Sequence, residues 1–254
     1  MLIDSHCHID VEAFSHDREA VISNAFANGV KKLIVPGIQS QSWDRLLRLC
    51  QQHDGLYPAL GLHPVFHSHH KRSDLILLEQ YIQIHQPLAV GEIGLDYYID
   101  DVDSDKQIFF LQRQLEIAQR HNLPVILHVR KAHEQMLQIL KSIPVKGGVS
   151  HAFNGSLQQA EQYIELGFKL GFGGMLTYER SSKLRKLASE LPLDSIVLET
   201  DAPDMTVSSH RGQRNSPEYL PECLAALAGL RNLPLARVAS ITTQNCIDLF
   251  GFTE

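Results

Sequence analysis

Leu2-Ile3-Asp4-Ser5-His6-Cys7-His8 opens the chain. It begins as an apolar, β-branched run and ends in two imidazoles two residues apart. That is the pattern of a strand buried on both faces that delivers polar side chains at its C-terminal end. On such a strand His6 and His8 share one face, about 6.7 Å apart along it, and can converge on one ion. Cys7 then points the other way, toward a layer of helices, and reads as a buried structural residue.

Outward from this stretch the same grammar repeats. Apolar runs at Lys32–Gly37, Leu56–His63, Leu88–Gly94, Pro124–Val129, Gly147–Phe153, Phe168–Gly173 and Ser195–Asp201 bring the number of predicted strands to eight. Between them lie segments of helical periodicity: Arg18–Ala27, Ser42–Gln52, Ser73–His85 behind a Ser cap, Asp105–His121, Ala132–Lys141, Leu157–Leu166 and Ser181–Leu191. Helices at Pro217–Leu230, Leu235–Thr242 and Gln244–Phe250 close the chain. Eight strands alternating with helices predict an α/β fold, a (β/α)8 TIM barrel, as a single domain over residues 1–254. An open doubly wound sheet is the competitor, and no GxGxxG follows the first strand to support it. The longest irregular stretch, Pro203–Ser216, falls after the eighth strand, where loops shape the mouth of a barrel.

Composition narrows the class. The 254 residues are 44% hydrophobic and 20% charged, with a net charge of −6 and 14 histidines. This argues against disorder. No apolar run is long enough to span a bilayer, and the polar N-terminus is not a signal peptide, so no membrane association is expected. The four cysteines form no CxxC pair, and a cytoplasmic location fits them. The acidic balance speaks against broad electrostatic binding of nucleic acid, but leaves open a local site that holds phosphate through metal ions.

The polar residues at the strand ends carry the chemistry. His6, His8, Glu92, His128, His151 and Asp201 all fall at the catalytic rim of the predicted barrel. Four imidazoles and two carboxylates are too many for one ion with an open position, and suffice for two. Such ligands suit zinc, manganese or iron, and magnesium less naturally. His63 also faces the rim, to touch substrate or metal or to cap its strand. Arg130 shares the face of His128, and either grips phosphate or pairs with a rim carboxylate. Asp4, Asp96 and Glu199 have the parity to orient ligand histidines. The loop histidines His16, His53, His67, His69, His70, His85, His121 and His210 read as solvated surface, with His67 to Arg72 forming a basic loop.

Taken together, Ile3-Asp4-Ser5-His6-Cys7-His8, Gly61-Leu62-His63-Pro64, Val90-Gly91-Glu92-Ile93-Gly94-Leu95-Asp96, the Leu123–Arg130 segment, His151-Ala152-Phe153-Asn154-Gly155 and Leu198-Glu199-Thr200-Asp201-Ala202-Pro203 resemble the TatD family of metal-dependent deoxyribonucleases, within the amidohydrolase-like superfamily. The likeness runs from the first strand to the last. The segments 155–161 and 173–178 look most like its YjjV branch. The resemblance implies two divalent ions per subunit (zinc, manganese or magnesium). His6 and His8 would hold one ion with Asp201 nearby, His128 and His151 the second, and Glu92 would bridge. It implies DNA as substrate, cleaved at phosphodiester bonds, often exonucleolytically, with no obligate protein partner. Glu92, Asp201, Arg130 and His63 are the expected catalytic residues, the last two as substrate-binding groups. Two positions depart from the family pattern. Arg214-Asn215-Ser216-Pro217 lacks the usual Glu, which bears on loop packing, and Asn154 replaces a Ser or Thr at the rim. An amidohydrolase acting on a small-molecule ester or amide is the rival expectation, and a metal-bearing scaffold without catalysis is a second.

Overall fold

The structure, a computed structural model, describes residues 1–252. Eight parallel strands form one sheet in the order of the sequence: β1 (Leu2–Asp4), β2 (Val30–Pro36), β3 (Leu56–Leu60), β4 (Ala89–Asp96), β5 (Val125–Arg130), β6 (Gly148–Ser150), β7 (Phe168–Phe172) and β8 (Ile196–Leu198). The seam between β8 and β1 is spanned by Ser5 N–H donating to Leu198 O at 3.0 Å and Asp201 N–H donating to His6 O at 2.8 Å. Helices α1 (Arg18–Ala27), α2 (Trp43–Gln52), α3 (Arg72–His85), α4 (Ser104–Arg120), α5 (His133–Ser142), α6 (Leu157–Glu165) and α7 (Ser182–Glu190) follow the first seven strands, and α8 (Leu220–Arg231) and α9 (Leu235–Phe250) follow β8. The chain is the expected α/β barrel.

Alternation along the strands divides the core in two. Ile34 on β2, Ile126 on β5 and Val197 on β8 belong to a small cluster with Ile3, Ala59 and Val149, against which Cys246, Leu249 and Phe250 of α9 pack. Their sequence neighbours Leu33, Val35, Val125, Leu127 and Leu198 belong to the larger cluster shared with the helices. A strand buried on both sides must be apolar throughout, and β4 is buried at all eight positions. Gly94 lets β4 and β5 approach closely: its φ is +154°, and a β-carbon there would overlap the His128 backbone carbonyl.

Element ends differ from expectation. The strands at β1, β3, β6 and β8 stop at Asp4, Leu60, Ser150 and Leu198, so His6, His8, His63, His151 and Asp201 stand on the turns just beyond. The apolar character outlasts the strand because these turns are themselves buried across the mouth. Cys7 N–H donates to Ile34 O and His8 N–H to Ala202 O rather than continuing a ladder. The two predicted C-terminal helices are one, α9. Its mid-helix threonines are satisfied, Thr242 Oγ1 within the helix on Val238 O at 3.0 Å and Thr243 Oγ1 on Met1 O of the N-terminus at 3.0 Å. A short 3₁₀ turn, Pro217–Tyr219, precedes α8, which therefore begins at Leu220. At α3 the expected Ser73 cap is replaced by Asp74, whose carboxylate accepts the Lys71 N–H at 2.8 Å.

The basic loop is likewise corrected. His67 and His70 are buried in a 3₁₀ segment, Pro64–His69, and its flank. His67 Nδ1 donates to Pro64 O at 3.0 Å and His70 Nε2 to His63 O at 2.9 Å, so backbone carbonyls replace the water that was expected around them. His16, His69 and His85 are exposed as predicted.

Candidate metal centre

The six predicted ligands meet at the C-terminal mouth, with Glu92 of β4 at the middle. Its side chain is buried, and its two oxygens face different groups. Oε2 lies 3.2 Å from His6 Nε2 and 3.3 Å from His8 Nε2. Oε1 lies 2.9 Å from His151 Nε2, 3.1 Å from His128 Nδ1 and 3.1 Å from His63 Nε2. Asp201 Oδ1 stands 3.5 Å from His6 Nε2 and 3.7 Å from His8 Nε2.

This donor set fits divalent cations. Two pairs of ring nitrogens approach to 3.1 Å, His6 with His8 and His128 with His151, each through the nitrogen that faces Glu92. Glu92 Oε2 is buried without a hydrogen-bond partner. Converging nitrogen lone pairs and an orphaned carboxylate oxygen are what a cation satisfies. His6, His8 and Asp201 form one group whose ligand atoms lie within 4.8 Å of one another, and His6, Glu92 and His151 form another.

Charge balance agrees. Burial disfavours the Glu92 carboxylate, but His63, His151 and His6 around it hold it well below the usual range. Burial also works against protonated His8 and His151, yet Glu92 and Asp201 prevail and lift them to about 9 and about 10. At the same centre burial and the neighbouring His151 hold His6 well below the usual histidine range.

Hydrogen bonds assign the tautomers of two rings. His128 Nε2 meets Asp96 Oδ2 at 2.9 Å, and a carboxylate only accepts, so Nε2 carries a proton and Nδ1 is the nitrogen that faces the centre, 3.1 Å from Glu92 Oε1. His63 Nδ1 accepts the Val65 N–H at 3.1 Å, so the neutral ring bears its proton on Nε2, which donates to Glu92 Oε1. Burial pushes the His63 pKa down to about 4, which keeps the ring neutral. Its Nε2 also lies in a group with Glu92 and His128 whose ligand atoms are within 4.8 Å of one another, and its ring caps the 3₁₀ segment.

Asp96 orients His128 as expected; Asp4 and Glu199 orient no rim histidine. Asp4 accepts from the backbone of His6 at 3.2 Å and from Thr200 N and Oγ1 at 2.9 and 2.5 Å, fastening the β1 and β8 turns together. Glu199 Oε1 is 3.9 Å from His151 Nδ1, too far for a hydrogen bond, and instead accepts the Ala152 N–H at 2.5 Å. Burial raises Asp4 to about 7 and Glu199 to about 8. Cys7 is fully buried, as predicted. The Ser at 216 does not free its loop, because Asn215 Nδ2 donates to Thr200 O at 2.8 Å and to Asp204 O at 2.7 Å. A cleft of about 470 Å³ opens beside the centre, lined by His128, Arg130, His151, Asn154, Asp201 and Met205 among others.

Two supporting residues escape a sequence reading. Gln107 and Gln114 lie on the buried face of α4, and each brackets one backbone unit of a segment that forms the rim cluster. Gln114 accepts the Leu62 N–H at 2.7 Å and donates to Leu62 O at 3.2 Å. Gln107 does the same at Asp96, at 2.9 and 3.0 Å. Two glutamines seven residues apart within an apolar stripe were the available signal.

A parallel barrel with clustered imidazoles and carboxylates at the C-terminal mouth defines a metal-dependent hydrolase of the TIM-barrel type. Residues 3–251 match the family described as TatD related DNase, and the chain belongs to the TatD family. It is 43% identical over 253 residues to the uncharacterized metal-dependent hydrolase YjjV of Escherichia coli K12, covering 98% of this chain and 97% of that one. The crystal structure of that TatD homologue superposes with a TM-score of 0.96 at 42% identity, over 99% of this chain and 98% of the other. The uncharacterized metal-dependent hydrolase YabD of Bacillus subtilis 168 is 34% identical, over 98% of this chain and 99% of that one.

Proposed function

We propose that the protein hydrolyses DNA phosphodiester bonds at two divalent cations held around Glu92. The observation that carries this reading is the division of one carboxylate between two clusters, His6 and His8 at Oε2 and His128 and His151 at Oε1. His6, His8 and Asp201 would hold one cation, His128 and His151 the other, with Glu92 shared. Cations there supply Lewis acidity, lowering the pKa of water and neutralising phosphate charge. The remaining work falls to the chain. Asp201, at the edge of the cleft, accepts the proton of the attacking water. His63, kept neutral, offers its Nε2–H as a hydrogen bond to a phosphate oxygen once substrate enters, Arg130 binds the phosphate from the rim of the cleft, and the proton taken up by Asp201 passes to the leaving oxygen as its P–O bond breaks. No serine or cysteine nucleophile is needed.

The family description supports DNA as the substrate. The mixed nitrogen and oxygen donors accept zinc, manganese or magnesium. All four cysteines are buried and free, which supports work in a reducing cytoplasm. The test is cleavage of end-labelled single- and double-stranded DNA and RNA with manganese, magnesium or zinc added. Metal-dependent shortening of DNA is the expected result. Turnover of amides or lactones with DNA left intact overturns the reading in favour of a small-molecule amidohydrolase.

A further inference from the structure

Arg130 borders the cleft beside His128 and His151. Its guanidinium enters no ion pair and no side-chain hydrogen bond among the described residues; it lies over the Tyr98 ring, 4.0 Å from the ring centroid. The ion pair with a rim carboxylate that the sequence left open is not formed. Tyr98 is 59% exposed, yet its backbone is anchored. Its N–H donates to Asp96 Oδ1 at 2.9 Å, on the same carboxylate that holds His128, and the adjacent Tyr97 N–H donates to Arg130 O at 2.9 Å. The ring is thus referenced to the metal centre through Asp96 and to Arg130 through β5.

A guanidinium stacks through its face and bonds phosphate through its edge, so the two interactions do not compete. An arginine held only by its stem must lose rotamer freedom when it binds, and one already stacked has less to lose. The geometry points to Tyr98 as a positioning residue that holds Arg130 by its face, leaving the guanidinium edge to grip the non-bridging oxygens of a phosphodiester in the cleft. This rests on the phosphodiester reading above and adds the residue that organises it. Tyr98 acts on substrate binding and not on the chemical step.

The test is a double-mutant cycle with Tyr98→Leu, Arg130→Ala and the pair, with Tyr98→Phe as the conservative variant. Tyr98 is on the surface, so each variant folds. The readouts are KM and kcat for bis(4-nitrophenyl) phosphate and for (dT)6 with manganese, and anisotropy of fluorescein-labelled (dT)6 bound in EDTA. Tyr98→Leu is expected to raise KM and weaken binding about threefold with kcat unchanged. Arg130→Ala should cost about tenfold or more. The double variant should be no worse than Arg130→Ala, and Tyr98→Phe should match the parent. Additive effects, a loss confined to kcat, or Tyr98→Phe as damaging as Tyr98→Leu each overturn the inference. If (dT)6 stays intact while bis(4-nitrophenyl) phosphate is hydrolysed with the cycle as expected, the DNA reading falls and the role of Tyr98 stands. If neither compound is hydrolysed, both fall.

Discussion

Asp96 holds His128: Asp96 Oδ2 accepts the His128 Nε2 proton at 2.9 Å, which turns Nδ1 toward Glu92 and the centre. A carboxylate behind a ligand imidazole fixes the ring's tautomer and raises its basicity. Asp96→Ala should therefore weaken binding of the cation on the His128 side by about 10- to 100-fold while leaving the other site occupied. Competition with a graded series of chelators checks this, and equal loss of both cations contradicts it.

Glu92 is shared by both clusters, so its removal should act on both. Glu92→Gln keeps the shape and the hydrogen bond from His63 but discards the negative charge. Elemental analysis is expected to find fewer than two equivalents of metal, and activity should fall by at least about 10³-fold if both cations are required. A variant that retains two equivalents and full turnover removes Glu92 from the mechanism.

The barrel was legible because a strand covered on both faces must be apolar, and the sequence holds eight such runs. The rim cluster was legible because histidines and carboxylates fall near the C-terminal ends of those runs. Strand ends were harder to read. Around His6 and His151 the chain stays buried after its ladder bonds stop, and hydrophobicity reports burial, not pairing. His67 and His70 were misread because a histidine bonded to a backbone carbonyl looks, in one dimension, like one bonded to water. Glu199 shares the parity of a ligand-orienting group, yet lies 3.9 Å from His151, a distance that parity does not encode.

The glutamines of α4 make a separate prediction about stability. Gln114→Leu keeps much of the volume but leaves the buried Leu62 N–H and C=O without their partner. Each unsatisfied group costs about 1–3 kcal/mol, so the two together give an expected loss of about 2–6 kcal/mol. Because Leu62 precedes His63, the variant should also loosen the site. Urea melts give the first effect, and KM for bis(4-nitrophenyl) phosphate gives the second. A variant within about 0.5 kcal/mol of the parent would show that water replaces the side chain without loss.

His133 gives the pH dependence a defined sign. It is buried on α5 with Nε2 3.2 Å from Asn154 Oδ1 and Nδ1 3.2 Å from the Tyr163 hydroxyl. Asn154 Nδ2 donates to Ala152 O at 3.2 Å, so its Oδ1 must accept from His133. The ring is then neutral, with Nδ1 accepting the tyrosine proton. Burial lowers its pKa below the ordinary histidine value of 6.5. The folded protein therefore binds this proton less readily than the unfolded chain does. The stability contributed by the neutral ring is fully present above about pH 6.5 and is lost as the pH falls through that value toward the lower folded pKa. His70 is lowered by burial in the same way and adds to the slope. Asp4 and Glu199, raised to about 7 and about 8, act the other way over the same interval, so the His133 contribution is read as a difference between variant and parent. His133→Gln should start from a lower Tm at pH 7.5, and its deficit relative to the parent should shrink between about pH 6.5 and pH 5. Parallel Tm profiles for the variant and its parent would remove His133 from the account.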